Sequence, residues 1–273
     1  MSIRMPIVFI SHGAPDALLK APDAVACWRD IGAMLPQPSA ILVVSAHWEM
    51  HQPTASLAGA PETIHDFSGF SPALHRMQYP APGAPALAEG VAAMLGRSGI
   101  TAGLHPTRGL DHGAWVPLSA MYPDATVPVT QLSLIRNGSP AQHFALGQIL
   151  SPLRDEGVLI VATGAITHNF DWLDWASAEA NVVPQALAFA DWVAAQLNAH
   201  DASALLAYRS APHGTEAHPS AEHFLPLFVT VGAAGDDLPQ RYQPPFSYGG
   251  LAMDAYVWRD SLASAPTIPR LAA

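Results

Sequence analysis

The chain has 273 residues, of which half are hydrophobic, and its 22 acidic and 12 basic residues give a formal net charge of −10. This apolar content excludes a disordered chain, and the acidic balance without a basic stripe argues against nucleic acid or an anionic membrane surface as a partner. The single cysteine, Cys27, excludes an internal disulfide and fits a reducing compartment. The apolar runs are too short for a signal sequence or a membrane span, so we expect a cytoplasmic protein.

Branched, β-rich runs alternate with alanine-rich helical segments, which is the pattern of an α/β fold with a largely parallel sheet flanked by helices. The predicted elements, in chain order, are a strand at 5–10, a helix at 23–35, a strand at 39–46, an edge strand at 53–59, a helix at 85–99, strands at 100–105 and 127–134, a helix at 140–154, a strand at 157–163, helices at 184–200 and 220–234, and a late antiparallel strand at 249–258. No repeat or low-complexity linker divides the chain, so we predict a single domain over residues 1–273.

The chain holds 13 histidines, more than its lysines and arginines together. Three of them follow the clearest predicted strands: His12 follows the first strand, His47 ends the strand at 39–46, and His168 lies shortly after the strand at 157–163. The carboxyl ends of parallel strands meet at one edge of a sheet, where open α/β folds bind their ligands. We therefore expect these three imidazoles to converge.

A fourth histidine, His223, lies near the start of the helix predicted at 220–234. Imidazole is the commonest protein ligand for zinc, iron, copper and nickel, so the four histidines predict a metal site. The chain has neither an HExxH nor a CxxC pattern. The metal ligands would therefore come from segments that are far apart in the sequence.

His112 is a fifth candidate, because Gly109 and Gly113 flank it and predict a loop that approaches a ligand closely. The alternative interpretation is a turn histidine bonded to Asp111.

The segment 61–70 offers Glu62, His65 and Asp66 in a predicted loop, for which we favour a structural or lid role. The remaining histidines show no such arrangement and are predicted to be ordinary surface or loop residues: His51, His75, His105, His143, His200, His213 and His218.

Eight short motifs together carry a resemblance to a known family. They are "SHGAP", "SAHWE", "TIHDFSGF", "YPAPG", "DHGAW", "YPDATVPVTQLS", "ATGAITHN" and "EHFLPL". In this combination, from residue 5 to about 257, the chain resembles the class III extradiol ring-cleavage dioxygenases, and within them the DOPA 4,5-dioxygenase branch of the superfamily named for the catalytic subunit of protocatechuate 4,5-dioxygenase. The resemblance implies one α/β domain, a non-haem Fe(II), and opening of a catechol by O₂ beside its two hydroxyls.

The resemblance assigns His12 and His47 to the two metal-ligand histidines of the family. His223 matches a further metal position, at which the protocatechuate-type members have a glutamate. Because Glu222 adjoins His223, an all-histidine site and a mixed site both remain open.

The resemblance assigns His168 to an active-site histidine that acts as acid and base in protocatechuate-type relatives and is also described on or near a bound zinc. His112 matches a histidine on the substrate side. An imidazole with a pKa near 6.5 can take a catechol proton and return it near neutrality. Arg108 and Arg209 are weaker candidates as contacts for a substrate carboxylate.

The cofactor expected for activity is Fe(II), with a small catechol and O₂ as the partners. Imidazole sites bind Zn²⁺ more tightly than Fe²⁺, so we expect zinc, or an empty site, in protein purified in air. Two alternatives stand beside the dioxygenase. One is a zinc hydrolase on the same fold with Glu49 or Glu62 as general base, and the other is a relative that binds ligands without catalysis.

Overall fold

The fold is built around a twisted sheet, seen in a computed structural model that describes residues 4–259. The strands are β1 (Ile7–Ser11), β2 (Ala40–Met50), β3 (Thr54–Ser56), β4 (Gly103–His105), β5 (Val129–Ile135), β6 (Val158–Gly164), β7 (Leu238–Tyr242) and β8 (Ala255–Arg259). Their order across the sheet is β4-β3-β5-β2-β6-β1-β8-β7. The central strands β5, β2, β6 and β1 are parallel, and β8 pairs with β1 in the antiparallel sense. The predicted fold class is confirmed, including the late antiparallel strand.

Helices cover both faces of this sheet. They are α1 (Ala17–Lys20), α2 (Pro22–Met34), α3 (Pro85–Arg97), α4 (His112–Met121), α5 (Pro140–Leu150), α6 (Pro184–Asn198), α7 (Ala202–Leu206), α8 (Gly214–Ala217) and α9 (Leu225–Ala234). Proline stands in the first turn of α2, α3, α5, α6 and α9, where its missing N–H removes no intrahelical bond. No helix within residues 4–259 has both the length and the apolar character of a membrane span.

The hydrophobic core has two layers, one on each face of the sheet. Along β1, Ile7 and Phe9 pack into the layer under α3, α5, α6 and α9, whereas Val8 and Ile10 pack into the layer under α2 and α4. Successive side chains of a strand point to opposite faces, so a strand that is covered on both sides needs an unbroken apolar run. The central strands could therefore be predicted from their unbroken apolar runs in the sequence.

Several elements differ from the sequence prediction, and three of the differences bear on the sheet and the site. The predicted edge strand at 53–59 is inside the sheet, because β4 pairs with β3 and takes the edge position. The predicted loop around His112 is the first turn of α4, a helix buried on nearly all sides and therefore without an amphipathic pattern. Strand β7 was not predicted, because its sequence LPQRY is polar and contains Pro239.

Candidate metal centre

Two histidines of the site come from neighbouring parts of the sheet edge. His12 follows β1 directly, and its backbone N–H donates to the carbonyl of Gly164 at the end of β6 (3.0 Å). His47 does not end its strand as predicted, because β2 continues to Met50. It lies instead where the pairing of β2 with β5 shifts in register between Val44 and Glu49. Such an irregularity turns a side chain out of the strand alternation, and here it brings His47 to the site.

His223 lies in the turn before α9, so the helix predicted at 220–234 begins later than expected. Its carbonyl accepts a hydrogen bond from the N–H of Ala165 (2.8 Å). A Cβ at Gly164 would stand 2.1 Å from that carbonyl oxygen, so only glycine permits the approach. The end of β6 therefore holds His223 against the sheet edge.

The imidazole nitrogens of these three residues face one another. The Nε2 atoms of His12 and His47 are 3.1 Å apart, and those of His47 and His223 are 3.3 Å apart. Metal–nitrogen bonds of about 2.0–2.1 Å at tetrahedral or octahedral angles place neighbouring ligand nitrogens about 2.9–3.4 Å apart. The donor set and its spacing therefore fit a transition-metal ion bound by three imidazoles.

The protonation state of the cluster suits metal binding. Burial lowers the pKa of His47 to about 4, with the neighbouring His112 as the next cause. Burial, together with the other histidines of the site, also lowers the pKa of His12 and of His223 well below the usual value for imidazole. Near neutral pH the three rings are uncharged, so each has a lone pair to offer a metal ion.

Carboxylates stand behind two of the three rings. Glu222 Oε1 is 3.0 Å from Nδ1 of His223, and Asp66 Oδ2 is 3.6 Å from Nδ1 of His47. Metal-binding histidines commonly pair their second nitrogen with a carboxylate, which fixes the tautomer and the ring orientation. Nδ1 of His12 is buried and has no hydrogen-bond partner among the described residues. Since Glu222 faces Nδ1 of His223 and Nε2 of the same ring faces His47, Glu222 lies on the far side of the His223 ring from the converging nitrogens.

His168 stacks on His223 instead of joining the three converging nitrogens. The ring centroids are 3.5 Å apart and the planes differ by 7°. Two parallel rings at this separation cannot both direct in-plane lone pairs at one ion about 2.1 Å away. Burial lowers the pKa of His168, which the charge of Glu222 partly offsets. The ring is therefore neutral at pH 7 and able to accept a proton.

His112 adjoins the cluster, with its ring centroid 3.9 Å from that of His47. Its Nδ1 lies 2.9 Å from Oδ1 of Asp66, which also accepts the His112 backbone N–H (3.0 Å). Burial raises the pKa of Asp66, but the hydrogen bond and charge of His112 outweigh it and hold the pKa well below the usual range. Since the carboxylate only accepts, Nδ1 of His112 is the donor.

Of the three polar candidates in the segment 61–70, Glu62, His65 and Asp66, it is Asp66 that contacts the histidines of the site. Asp66 bridges His47 and His112. His65 is instead directed at the carbonyl of Met77 (3.0 Å). Nothing local in the sequence distinguished Asp66 from its neighbours, because its role depends on contacts with segments distant in the chain.

Asp111 is a second residue that sequence analysis did not assign to the site. Its buried carboxylate accepts hydrogen bonds from Ser45 Oγ (2.6 Å), Gln131 Nε2 (2.9 Å) and Arg108 Nη2 (3.0 Å), and it caps the first turn of α4. It does not bond the imidazole of His112, contrary to the turn interpretation. The network joins α4 to the irregular part of β2. An aspartate just before a helix is an N-cap signal, which would have identified the start of α4.

A cavity of about 200 Å³ opens beside the cluster. Its lining is Gly13, Ala14, Pro15, His47, Phe70, His112, His168, Phe170, Leu173, Trp175, His223 and Leu251. Neither arginine considered for a substrate carboxylate lines it. Arg108 bonds Asp111 and the carbonyl of His47, and Arg209 lies over the ring of Tyr208.

Two of the histidines predicted to be ordinary surface or loop residues are in the core. His143 and His218 are fully buried. Both hydrogen-bond the backbone: His143 contacts Ser139 and Ile135, and His218 contacts the carbonyl of Ile166. Within the described chain neither belongs to a group of side chains arranged to hold a metal ion.

Comparison with known proteins identifies relatives of this chain over most of its length. A family described as the catalytic LigB subunit of aromatic ring-opening dioxygenase matches residues 7–257. The chain is 39% identical over 235 residues to the 4,5-DOPA dioxygenase extradiol of Escherichia coli, covering 85% of this chain and 86% of that one. It is 42% identical over 235 residues to the protein of the same name from Beta vulgaris, covering 84% and 87%. The crystal structure of the uncharacterized protein JW3007 from Escherichia coli K12 superimposes with a TM-score of 0.76 at 34% identity, over 93% of this chain and 99% of that one.

Proposed function

The chain belongs to the family of the catalytic LigB subunit of aromatic ring-opening dioxygenases, and we propose that it opens the ring of a DOPA-like or related dihydroxyphenyl compound beside its two hydroxyls. It is an extradiol dioxygenase by its similarity to the 4,5-DOPA dioxygenases of bacteria and plants. The observation that carries the proposal is the convergence of three neutral imidazoles at a cavity that also holds His112 and His168. A cytoplasmic location, consistent with the single cysteine, is part of the proposal.

The residues that would hold the metal are His12, His47 and His223, each through Nε2. When bound, Fe(II) supplies the redox centre through which electrons of the catechol reach O₂. Zinc suits the same donors and binds nitrogen ligands more tightly than Fe²⁺, but it is redox-inert. We therefore expect zinc, or an empty site, in protein purified in air.

His168 is the proposed acid and base. It lines the cavity, its burial keeps it neutral, and its stacking on His223 places it beside the cluster without using a lone pair on the same ion. A neutral imidazole takes the proton of a catechol hydroxyl and later returns it to the oxygen of the opened ring.

His112 is the proposed substrate-side hydrogen-bonding residue. Because Nδ1–H donates to Asp66, Nε2 is the ring atom that remains for the substrate. The Asp66 carboxylate fixes this tautomer and thereby orients His112.

The test is O₂ uptake by three preparations of the protein, one loaded anaerobically with Fe²⁺, one loaded with Zn²⁺ and one metal-free, each with a panel of catechols. We expect only the iron-loaded protein to consume O₂ and to form a yellow ring-opened semialdehyde. Equal activity of the zinc-loaded protein would refute the dioxygenase mechanism. Cleavage of esters or amides by the zinc-loaded protein alone would establish the hydrolase instead.

The geometry gives the hydrolase little support. Neither of its candidate bases, Glu49 or Glu62, is among the described residues that line the cavity. A ligand-binding relative without catalysis would not need a neutral His168 and an Asp66-oriented His112 beside its ligand.

A further inference from the structure

The loop that follows β6, residues 165–169, carries His168 and has no regular secondary structure. Four of its five residues are buried, and only His168 is partly exposed. Buried backbone groups need hydrogen-bond partners, which a loop without regular structure finds in other segments. The N–H of Ile166 donates to Oγ of Ser11 (3.2 Å), the residue before His12. The start of the loop is therefore fixed to a segment that carries a proposed metal ligand.

The end of α8 fixes the other half of the loop. The last carbonyls of a helix have no partner within the helix, so they are free to accept hydrogen bonds from elsewhere. The N–H of His168 donates to the carbonyl of Ala217 (2.9 Å), and Nδ2 of Asn169 donates to the carbonyl of Glu216 (2.8 Å). Oδ1 of Asn169 also accepts the N–H of Asp171 (2.9 Å). The buried amide of Asn169 thus joins the loop to α8 and caps the turn that follows.

The imidazole of His168 has no polar partner that orients it. Among residues 4–259, no side chain or backbone group is hydrogen-bonded to its ring nitrogens, whereas Asp66 orients His112 (2.9 Å). The ring of His168 is stacked on His223, with the centroids 3.5 Å apart. Because no hydrogen bond fixes the ring, its position depends on where the backbone of the loop lies.

We propose that Asn169 is a positioning residue, whose bond to Glu216 holds the loop so that His168 stays stacked on His223 and within reach of the substrate. The inference rests on the proposed function, because it takes His168 to be the acid and base. An amide suits this task because it offers a donor to α8 and an acceptor to Asp171 at the same time. Ionised aspartate has nearly the same shape but no donor, so the substitution Asn169→Asp isolates the bond to Glu216.

The first experiment measures the position of the ring without catalysis. Zinc-loaded protein with isotope-labelled histidine is examined by NMR, and the ring-proton signals of His168 are assigned by their loss in His168→Gln. Parallel rings 3.5 Å apart shield each other's protons, so we expect upfield-shifted signals in the wild type. In Asn169→Asp they should move toward those of His51, an exposed histidine. Unshifted signals in the wild type, or identical signals in the variant, would overturn the inference.

The second experiment separates kcat from KM in the iron-loaded protein. We expect Asn169→Asp to lower kcat about 10–100-fold with little change in KM, because a displaced acid and base slows the chemical step without weakening substrate binding. Asn169→Ser should behave alike, since its hydroxyl is too short to reach Glu216 but can still accept from Asp171. Wild-type kcat in both variants would contradict the proposed role.

A control variant separates positioning from a loss of stability. Ser139→Ala removes the side-chain cap of α5, which accepts the N–H of Gln142 (3.2 Å), and Ser139 does not line the cavity. This variant should unfold at a lower temperature than the wild type and keep the wild-type kcat. If it loses as much kcat as the Asn169 variants at a similar loss of stability, Asn169 has only a structural role.

The two proposals fail in different ways. If the iron-loaded protein turns over no catechol while Asn169→Asp still loses the shifted signals, the dioxygenase proposal fails and the role of Asn169 in holding His168 stands. If Asn169→Asp and Asn169→Ser cleave catechols at the wild-type rate, the dioxygenase stands and the positioning role is refuted.

Discussion

Two groups of buried histidines in this protein have opposite surroundings. In the core, His143 uses both ring nitrogens for the backbone: Nδ1–H donates to the carbonyl of Ser139 (2.9 Å), and Nε2 accepts the N–H of Ile135 (3.1 Å). At the sheet edge, the Nε2 atoms of His12, His47 and His223 face one another instead. Burial alone therefore does not mark a functional histidine.

The two groups of histidines also differ in the hydrogen-bond partners of their ring nitrogens. At the edge, Nδ1 of His223 faces the carboxylate of Glu222, and Nδ1 of His112 faces that of Asp66. In the core, His218 donates Nε2–H to the carbonyl of Ile166 (2.8 Å). A carboxylate that binds one ring nitrogen orients the histidine, and the other nitrogen can then bind a metal ion or a substrate. A histidine that hydrogen-bonds the backbone instead has a structural role.

The largest expected effect separates the two groups by metal content. His47→Ala should lose the metal and ring cleavage together, because one of three converging nitrogens is removed. His143→Ala is the matched control: it should retain the metal and lose about 1–3 kcal/mol of unfolding free energy, because the N–H of Ile135 is left without its partner. Metal analysis and denaturant unfolding of both variants check this. Metal retained in His47→Ala would contradict the site.

A smaller effect is expected where a histidine of the edge is not a ligand. His168→Ala should keep most of the metal and lose on the order of 10²–10⁴ in rate, the usual contribution of general acid–base catalysis. Metal content and single-turnover rate are measured on the same sample, with His51→Ala, an exposed histidine, as the control. Complete loss of metal would make His168 a ligand.

The carboxylate behind the edge histidines should matter less than the rings themselves. Asp66→Asn keeps the size of the side chain but removes its charge from His47 and His112. We expect a loss of about 10–100-fold in metal affinity or activity, as for other residues that orient metal ligands. Asp155→Asn, which changes an exposed carboxylate, controls for net charge. Wild-type affinity and rate in Asp66→Asn would show that the bridge is dispensable.

The smallest effect concerns pH and a histidine of the core. Burial lowers the pKa of His218 to about 3, against about 6.5 in an unfolded chain. Between these values the unfolded state binds the extra proton, so the free energy of unfolding falls as pH falls, by up to about 1.4 kcal/mol per pH unit. Denaturant unfolding of metal-free wild type and His218→Gln between about pH 5 and 7 should show a shallower slope in the variant. Identical slopes would mean that His218 binds its proton as readily in the folded chain as in the unfolded chain, so that burial does not lower its pKa.

The sequence was sufficient for the central strands and for the edge at which the histidines meet. Unbroken apolar runs are needed wherever a strand is covered on both faces, so β1, β2 and β6 were identifiable, and with them the positions of His12, His47 and His168. The rule that parallel strands present their carboxyl ends at one edge then predicted that these three histidines converge.

The remaining features depend on contacts that leave no local pattern. Helix α4 is buried on nearly all sides and lacks the alternation that reveals a surface helix. The register shift near His47 depends on how β2 pairs with β5. Asp66 lies in a loop, and it becomes part of the site only through its distant partners, His47 and His112.

The strand order also fixes when the site can form during synthesis. In the sheet β6 lies between β1 and β2, yet it begins only at Val158. A nascent chain that ends after β5 has His12 and His47 but no strand to hold them side by side, and His223 has still to be made. Domains with such long-range strand pairing gain their native contacts late. Metal therefore enters a nearly complete fold, and it cannot serve as the nucleus around which the amino-terminal half assembles.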